Sequence, residues 1–225
     1  SGIPIYCCTL SFIETMFTKI KSVITLIIIF LQKIGDNVYR LFNGVPTLKR
    51  SQITANLFLG SQYSLIGLQK LKTLGVTTIV NMRMNPALKE SQYEGLHYLH
   101  LPTVDNTPPP LDTLIRGAAF VDKEIKSGGK VYIHCRQGLG HGPTMTIANL
   151  ISTGLTFADA LALVKKVRTF INPRPGQMER LKNWSNIIKK ISYYLYRLIL
   201  SFYWFITIVY DYSCCINLFN PPLIF

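Results

Sequence analysis

The sequence predicts an α/β fold with a central, mostly parallel sheet flanked by helices, and with hydrophobic helices at both ends of the chain. Short β-prone runs alternate with longer segments in which apolar residues recur at helical spacing, as in a sheet covered by helices. One β-prone run passes through a glycine-rich turn into the start of a helix within 131–146. Apolar residues make up 48% of the chain and are concentrated at its two ends.

The length of 225 residues allows one medium-sized domain with extensions. We expect a hydrophobic or amphipathic helical extension over 1–44, an α/β domain over 45–190, and a C-terminal hydrophobic segment over 191–225. The turn-forming residues Asn43–Pro46 are a plausible linker between the first two.

Within the middle segment, apolar spacing and turn residues place the elements in order. Strands are expected at 57–59, 77–80, 96–101 and 131–133. Helices are expected at 61–74, 111–126, 143–152, 156–170 and 177–190. The proline-rich stretch 101–110 predicts an exposed loop, because proline interrupts both regular structures.

The N-terminal segment predicts a helix that lies at a membrane surface. Its uncharged core, Ser22–Gln32, has 11 residues, whereas a membrane span needs about 20. Lysines on both sides of this core are typical of an interfacial helix, which Gly35–Asn37 would end. An uncleaved signal anchor and a helix packed on the domain are the alternatives.

The C-terminal segment predicts a membrane anchor, with the folded domain in the cytosol. Leu198–Leu218 spans 21 residues and has Asp211 as its one charged residue, so it is long enough to cross a bilayer. Asp211 opposes insertion by a few kcal/mol. A helical hairpin inserted from one side, formed together with the N-terminal segment, is the alternative.

The net charge of +13 favours anionic partners. Residues 45–190 contain 19 Lys and Arg against 8 Asp and Glu, a net charge of +11. The sequence has no zinc-ligand spacing and no basic helix with interleaved aromatic residues, so we expect neither a metal nor a nucleic-acid partner. The odd number of cysteines, five, argues against a disulfide framework and favours a reducing compartment.

The stretch 131–146 has the strongest functional signal. Val131–Ile133 resembles the end of a strand, Cys135 follows shortly, and Pro143 opens a helix after a turn with three glycines. Backbone N–H groups converge in such a loop, and the helix dipole adds positive potential, so the geometry suits an anion. The same field favours the thiolate form of Cys135, which makes it a candidate nucleophile.

This stretch resembles the His-Cys-x5-Arg signature of the cysteine-dependent phosphatases, through His134, Cys135 and Gly138. The whole segment 45–190 resembles the dual-specificity branch of the protein tyrosine phosphatases. Two further segments carry the resemblance. Leu101–Asp105 is similar to the family's general-acid loop. Residues 168–177 are similar to its Arg-Pro-x-Ile-Asn-Pro segment, which a Gln follows. The resemblance implies a protein tyrosine phosphatase-like fold that needs no cofactor and no metal.

The resemblance also implies a two-step reaction. Cys135 would attack phosphorus and form a phosphocysteine, while Asp105 would protonate the leaving oxygen and later act as the base for water. His134 would hold the loop and help to maintain the thiolate, and Gln177 could position the water. The phosphate would be bound by backbone N–H groups of Arg136, Gln137, Gly138, Leu139, Gly140 and His141.

The sequence departs from the signature at one position. Where the family has Arg this chain has His141, and the Ser or Thr that follows in many members is Gly142. Arg grips two phosphate oxygens and is permanently charged, whereas the shorter His cannot reproduce that fork. Loss of one preorganised charged donor typically slows a reaction by on the order of 100–1000-fold. Gly142 also lacks the hydroxyl that would ease departure of the thiolate.

The expected function is therefore a dual-specificity type of phosphatase that acts on phosphoprotein or phospholipid monoesters. It would be weakened by His141, or more active in mild acid where His141 would be charged. One alternative is a membrane-anchored pseudophosphatase that binds phosphorylated partners without turnover, and another is a membrane scaffold that uses the domain only for contacts. Sulfur transfer by a rhodanese-like loop is disfavoured, because Asp105 and Asn172-Pro173 fit phosphatases. The expected partners are a phosphorylated protein or an anionic phospholipid head group at a membrane.

Overall fold

The computed structural model describes residues 5–86 and 88–218, with side chains from residue 14 to residue 204 except those of 87 and 90. In this part of the chain four strands form one sheet in the order β1-β4-β2-β3, and every neighbouring pair is parallel. The strands are β1 (Leu57–Gly60), β2 (Thr78–Asn81), β3 (His97–His100) and β4 (Val131–His134). The predicted α/β fold with a parallel sheet is confirmed.

The described helices are α1 (Ile5–Asn43), α2 (Leu65–Thr73), α3 (Leu111–Lys126), α4 (His141–Ser152), α5 (Phe157–Val167) and α6 (Pro175–Leu218). Two short 3-10 helices lie at Leu48–Arg50 and Glu90–Tyr93. Helix α4 begins two residues before its predicted start at Pro143, because proline is tolerated throughout the first turn of a helix. The stretch 101–110 contains no helix or strand, as predicted.

The two faces of the sheet are covered by different helices. Phe58, Ile79 and Tyr132 pack with α2 in one apolar cluster. Alternate residues of the same strands, Leu57, Leu59, Val80, Val131 and Ile133, pack with α3, α4, α5 and α6 in a second cluster. Side chains of a strand point alternately to opposite faces, so a strand buried on both sides is apolar throughout. Helix α4 is buried from His141 to Ile151 and is the central helix of the larger cluster.

The predicted end of the N-terminal helix at Gly35–Asn37 is wrong. Helix α1 continues through these residues to Asn43. Glycine inside a helix costs only about 1 kcal/mol, and tertiary contacts stabilise this turn. The Gln32 carbonyl accepts a hydrogen bond from Arg50 at 2.9 Å, and the buried Asp36 accepts two from Thr47 at 3.0 and 3.1 Å. The C-terminal part of α1 therefore packs on the domain.

The C-terminal segment also differs from its prediction. The predicted helix 177–190 and the segment after it form one continuous helix, α6. Among the described residues no helix combines the length and the hydropathy that crossing a membrane requires, so a span at Leu198–Leu218 is not confirmed. Asp211 and several tyrosines lower the hydropathy of that stretch. Residues 1–4 and 219–225 of the predicted terminal segments lie outside the described part.

Candidate active site

The loop 135–140, called here the Cys135 loop, joins β4 to α4 at the carboxyl edge of the sheet. Both neighbours of β4 run parallel to it, and ligands of α/β proteins bind at this edge. Cys135 is 6% exposed, and its Sγ accepts a hydrogen bond from the Gly138 N–H at 3.3 Å. This N–H group and the positive end of the α4 dipole both favour an anionic group at this position of the loop.

Two glycines allow the Cys135 loop its tight course. Gly138 has a φ of 67°, and a Cβ there would lie 2.6 Å from the backbone oxygen of Gly60. A Cβ on Gly140 would lie 2.9 Å from Oε1 of Gln177. A side chain at position 138 would therefore push the loop away from β1, whereas one at position 140 would displace the Gln177 side chain.

Arg168, which follows α5, holds the Cys135 loop from below. Its guanidinium donates to the carbonyls of Gly138 (3.0 Å), Gln137 (3.1 Å) and Arg50 (3.3 Å). Because a trans peptide directs its N–H opposite to its C=O, the N–H groups of Gly138 and Leu139 point away from Arg168. The Gly138 N–H indeed points to the sulfur of Cys135. Arg168 thus orients the N–H groups of the loop toward the sulfur and the cleft, an arrangement that suits an anion.

The charge of Arg168 is balanced by a carboxylate from the N-terminal helix. Asp36 lies 3.2 Å from Arg168, and the two side chains are 3% and 1% exposed. Burial lowers the pKa of Arg168, and the nearby Asp36 opposes that shift. The sequence did not predict this ion pair. It could have been suspected from Asp36 in an otherwise apolar helix and from Arg168 at the start of the 168–177 segment.

His134 lies beneath the Cys135 loop and is buried. Its ring contacts those of Tyr63 and Tyr132, at centroid distances of 4.9 and 5.9 Å, and its Nδ1 donates to the Cys135 carbonyl at 3.3 Å. Burial lowers the pKa of His134 to about 3. The ring is therefore neutral near pH 7, so it supports the loop mechanically and supplies no positive charge to the sulfur.

The stretch 101–110, called here the Asp105 loop, is fastened to the site through Thr107. The Thr107 carbonyl lies 2.9 Å from Nε2 of His141 and accepts a second bond from Gln177 at 3.1 Å. A carbonyl only accepts, so Nε2 of His141 carries the hydrogen. Arg174 donates to Asn106 at 3.3 Å on the same loop. Asp105 is exposed beside this fastened segment.

A cleft of about 400 Å³ opens above the Cys135 loop. Its wall brings together most of the predicted site residues: Asp105, Cys135, Arg136, Gln137, Leu139, Gly140, His141 and Gln177. His134 and Gly138 do not line the cleft, since they lie below it. The sequence analysis missed Arg83 and Arg174, which also line it. The described part of the wall thus has three arginines and one carboxylate, that of Asp105, which suits an anionic ligand.

Comparison with known proteins assigns this site to a family. The family profile "Dual specificity phosphatase, catalytic domain" matches residues 57–187. Dual specificity protein phosphatase 1-A of Xenopus laevis is 31% identical over 133 residues, which cover 58% of this chain and 35% of that protein. The human serine/threonine/tyrosine-interacting protein is 32% identical over 147 residues, which cover 60% of this chain and 64% of that protein. This chain thus matches about a third to two thirds of the length of these relatives.

Solved structures show the same fold. A crystal structure of PTPMT1 superposes with a TM-score of 0.59 and 26% identity, covering 63% of this chain and 97% of that one. The human tyrosine phosphatase-like serine/threonine/tyrosine-interacting protein superposes with a TM-score of 0.54 and 27% identity, covering 61% and 95%. The family match begins at β1 and ends within α6, so it includes the sheet and the Cys135 loop.

We predict that Asp36→Asn lowers the free energy of unfolding by about 3–5 kcal/mol, because it leaves the buried Arg168 charge without its partner. Chemical denaturation of the full chain would measure the loss. Asp112→Asn is the matched control: its ion pair with Arg116 at 3.6 Å is solvent-exposed and should contribute less than about 1 kcal/mol. Equal losses in the two variants would contradict a special role for Asp36.

We also predict that stability falls in mild acid because of His134. Its pKa is depressed in the folded state, so below the ordinary value of about 6.5 the unfolded chain binds the extra proton. The contribution of His134 to the free energy of unfolding is therefore fully present above that value and is lost as the pH falls toward 3. Between pH 7 and pH 5 the loss from this one group is on the order of 2 kcal/mol. His134→Asn, which keeps an N–H near Nδ1, should flatten the curve; parallel curves for both proteins would refute this assignment.

Proposed function

Because the chain belongs to the dual specificity phosphatase catalytic domain family, we propose that it hydrolyses phosphate monoesters of proteins or phospholipids through a phosphocysteine intermediate. The observation that carries this proposal is the position of Cys135 in the wall of a basic cleft that Asp105 also lines. A nucleophile and a proton donor in one cleft, above a loop of oriented N–H groups, are the parts that phosphoryl transfer to cysteine requires.

In the first step Sγ of Cys135 attacks phosphorus and the bond from phosphorus to the ester oxygen breaks. The carboxyl group of Asp105 gives its proton to the leaving oxygen. In the second step water attacks the phosphocysteine, the Asp105 carboxylate accepts a proton from it, and the sulfur leaves as thiolate. N–H groups of the Cys135 loop, including that of Leu139, hold the phosphate oxygens during both steps.

His141 makes this reaction slow in our proposal. One of its two ring nitrogens donates to Thr107, so at most one nitrogen remains for a phosphate oxygen. A guanidinium at this position would offer a planar fork and a permanent charge. His141 instead fastens the Asp105 loop, together with Gln177, and this keeps the general acid near the cleft.

A second candidate function is binding of phosphorylated partners without turnover. Its support is that His141 lacks the charged fork of the family's Arg and donates to Thr107, while the backbone N–H groups of the loop stay in place. One of the relatives is named as an interacting protein, which agrees with such a role. Cys135 and Asp105 have no chemical task in a protein that only binds, and their presence favours the enzyme.

We further propose that the domain works at an anionic membrane surface in the cytosol. Apolar side chains on the described parts of α1 and α6 are exposed, among them Leu26 at 63% and Trp204 at 69%. Lys19, Lys21 and Lys33 flank the apolar part of α1, and such lysines pair with anionic lipid head groups. A lipid substrate fits this location, and PTPMT1 has been crystallised in complex with PI(5)P.

We expect the full chain to hydrolyse phenyl phosphate slowly between pH 5 and pH 7.5, and Cys135→Ser to be inactive. Asp105→Asn should reduce the rate by about 100-fold or more, through loss of proton transfer. His141→Arg should raise it, by up to about 100–1000-fold, because it restores the forked charged donor while Gln177 still holds the Thr107 carbonyl. Initial rates of phosphate release measure all four proteins.

The comparison separates the two candidate functions. If the unaltered chain matches Cys135→Ser at every pH and both still bind inorganic phosphate, the protein binds without turnover. If His141→Arg does not change the rate of an active protein, the role assigned to position 141 is wrong.

For the membrane, we expect the full chain to float with phosphatidylserine-containing vesicles and less with phosphatidylcholine alone. Leu26→Ser combined with Phe30→Ser should reduce flotation, because both side chains are exposed on α1. Ile66→Ser combined with Ile115→Ser is the control, since these exposed residues lie on α2 and α3. Equal flotation of the two variants would exclude α1 as a contact.

A further inference from the structure

Arg83 is held rigidly by its backbone beside the Cys135 loop. It follows β2, and the preceding residue, Met82, donates its N–H to the His134 carbonyl at 2.8 Å. The Arg83 N–H donates to the Asn81 side chain at 2.9 Å, and its carbonyl lies 2.8 Å from Nε2 of His100, which must be the donor. The Arg83 side chain therefore starts from a fixed point one strand away from the nucleophile.

The side chain of Arg83 has an unused donor. Its Nη1 is shielded from solvent and has no hydrogen-bond acceptor among the described residues. A buried polar group without a partner is uncommon in proteins and destabilises the fold unless a ligand or water satisfies it. Arg174, another arginine of the cleft wall, differs because it already donates to Asn106. Arg136, the third arginine of the wall, is exposed, and each guanidinium nitrogen of Arg168 below the loop has a partner. Among the described residues of the cleft wall, Arg83 is therefore the arginine with a shielded and unpaired donor.

We propose that Arg83 binds a second acidic group of the substrate, next to the phosphate held over Cys135. The inference rests on the proposed phosphate site and adds a substrate class: phosphate monoesters with a neighbouring carboxylate or phosphate. The reacting phosphate already has the N–H groups of the Cys135 loop, whereas Arg83 extends from the neighbouring strand. A guanidinium fork pairs with either kind of anion in two parallel hydrogen bonds. Among the described residues of the cleft wall, Asp105 is the one with an acidic side chain, so the wall favours such a dianionic ligand.

Two probes with one carbon skeleton test this in the Cys135→Ser protein, which cannot turn them over. Glycerol 3-phosphate carries a phosphate, and 3-phosphoglycerate carries the same phosphate with a carboxylate at the other end. Calorimetric titration should show tighter binding of 3-phosphoglycerate, by about 10–100-fold, as expected for a charge-assisted pair. Adding Arg83→Gln should remove this preference and leave the affinity for glycerol 3-phosphate unchanged.

The controls separate charge from folding. Arg83→Lys, which keeps the charge without the fork, should retain part of the preference. Arg116→Gln removes an exposed arginine of α3 outside the cleft wall and should retain all of it. Thermal unfolding checks that Arg83→Gln folds, which we expect because no partner of the Arg83 guanidinium would be lost.

The outcomes separate this inference from the proposed function. Equal weakening of both probes by Arg83→Gln, or no weakening of either, overturns the inference. If the Cys135→Ser protein binds neither probe, the phosphate site and the inference are both overturned. If the preference depends on Arg83 but the unaltered chain never releases phosphate from phenyl phosphate, hydrolysis is excluded and the second anion site stands.

Discussion

Arg168 lies beneath the Cys135 loop as a buried cation, with the Asp36 carboxylate at 3.2 Å and the carbonyls of Arg50, Gln137 and Gly138 around it. These contacts determine the direction of the peptide groups above. With the carbonyls drawn downward, the opposite N–H groups face the sulfur and the cleft. A desolvated arginine is stable only where its charge and donors are satisfied, so α1, the segment before β1 and the end of α5 must all be in place. The orientation of these N–H groups is thus a product of tertiary structure.

The sequence was sufficient for the elements that depend on local pattern. Alternation of β-prone and helical segments predicted the parallel sheet, and the run from Val131 to Pro143 predicted the strand, loop and helix around Cys135. Helix α3 matched its prediction, because a proline precedes it and two glycines follow it. Local pattern failed where a tertiary contact outweighed it. Gly35 was expected to end α1, but Gln32 and Asp36 bind the domain on either side of it and keep that turn helical.

The hydrogen bonds between side chains of the site could not be predicted from the sequence. Asp105, His141 and Gln177 were assigned from the resemblance to a phosphatase family, but their connection through the Thr107 carbonyl depends on three separate segments meeting. Arg83 lies in no motif, and Arg174 lies in the 168–177 segment without a role assigned from sequence; only the cleft wall places both at the site. In the proposed reaction, binding and turnover depend on different groups. Backbone N–H groups would attract an anion whatever side chain stands at position 141, whereas stabilising the transition state would rely on that side chain.

The Arg168 contacts also bear on the order in which the molecule assembles. Arg168 reaches a carbonyl 118 residues away at Arg50, and the adjacent Thr169 reaches Gln32 across 137 residues. Contacts this distant require the closure of long loops, which folding chains complete after nearer pairings such as those within a helix. During synthesis Cys135 emerges well before Arg168 does. The thiol is therefore made before the cation that orients the N–H groups around it, and a chain cut short before Arg168 would contain the thiol without that arrangement.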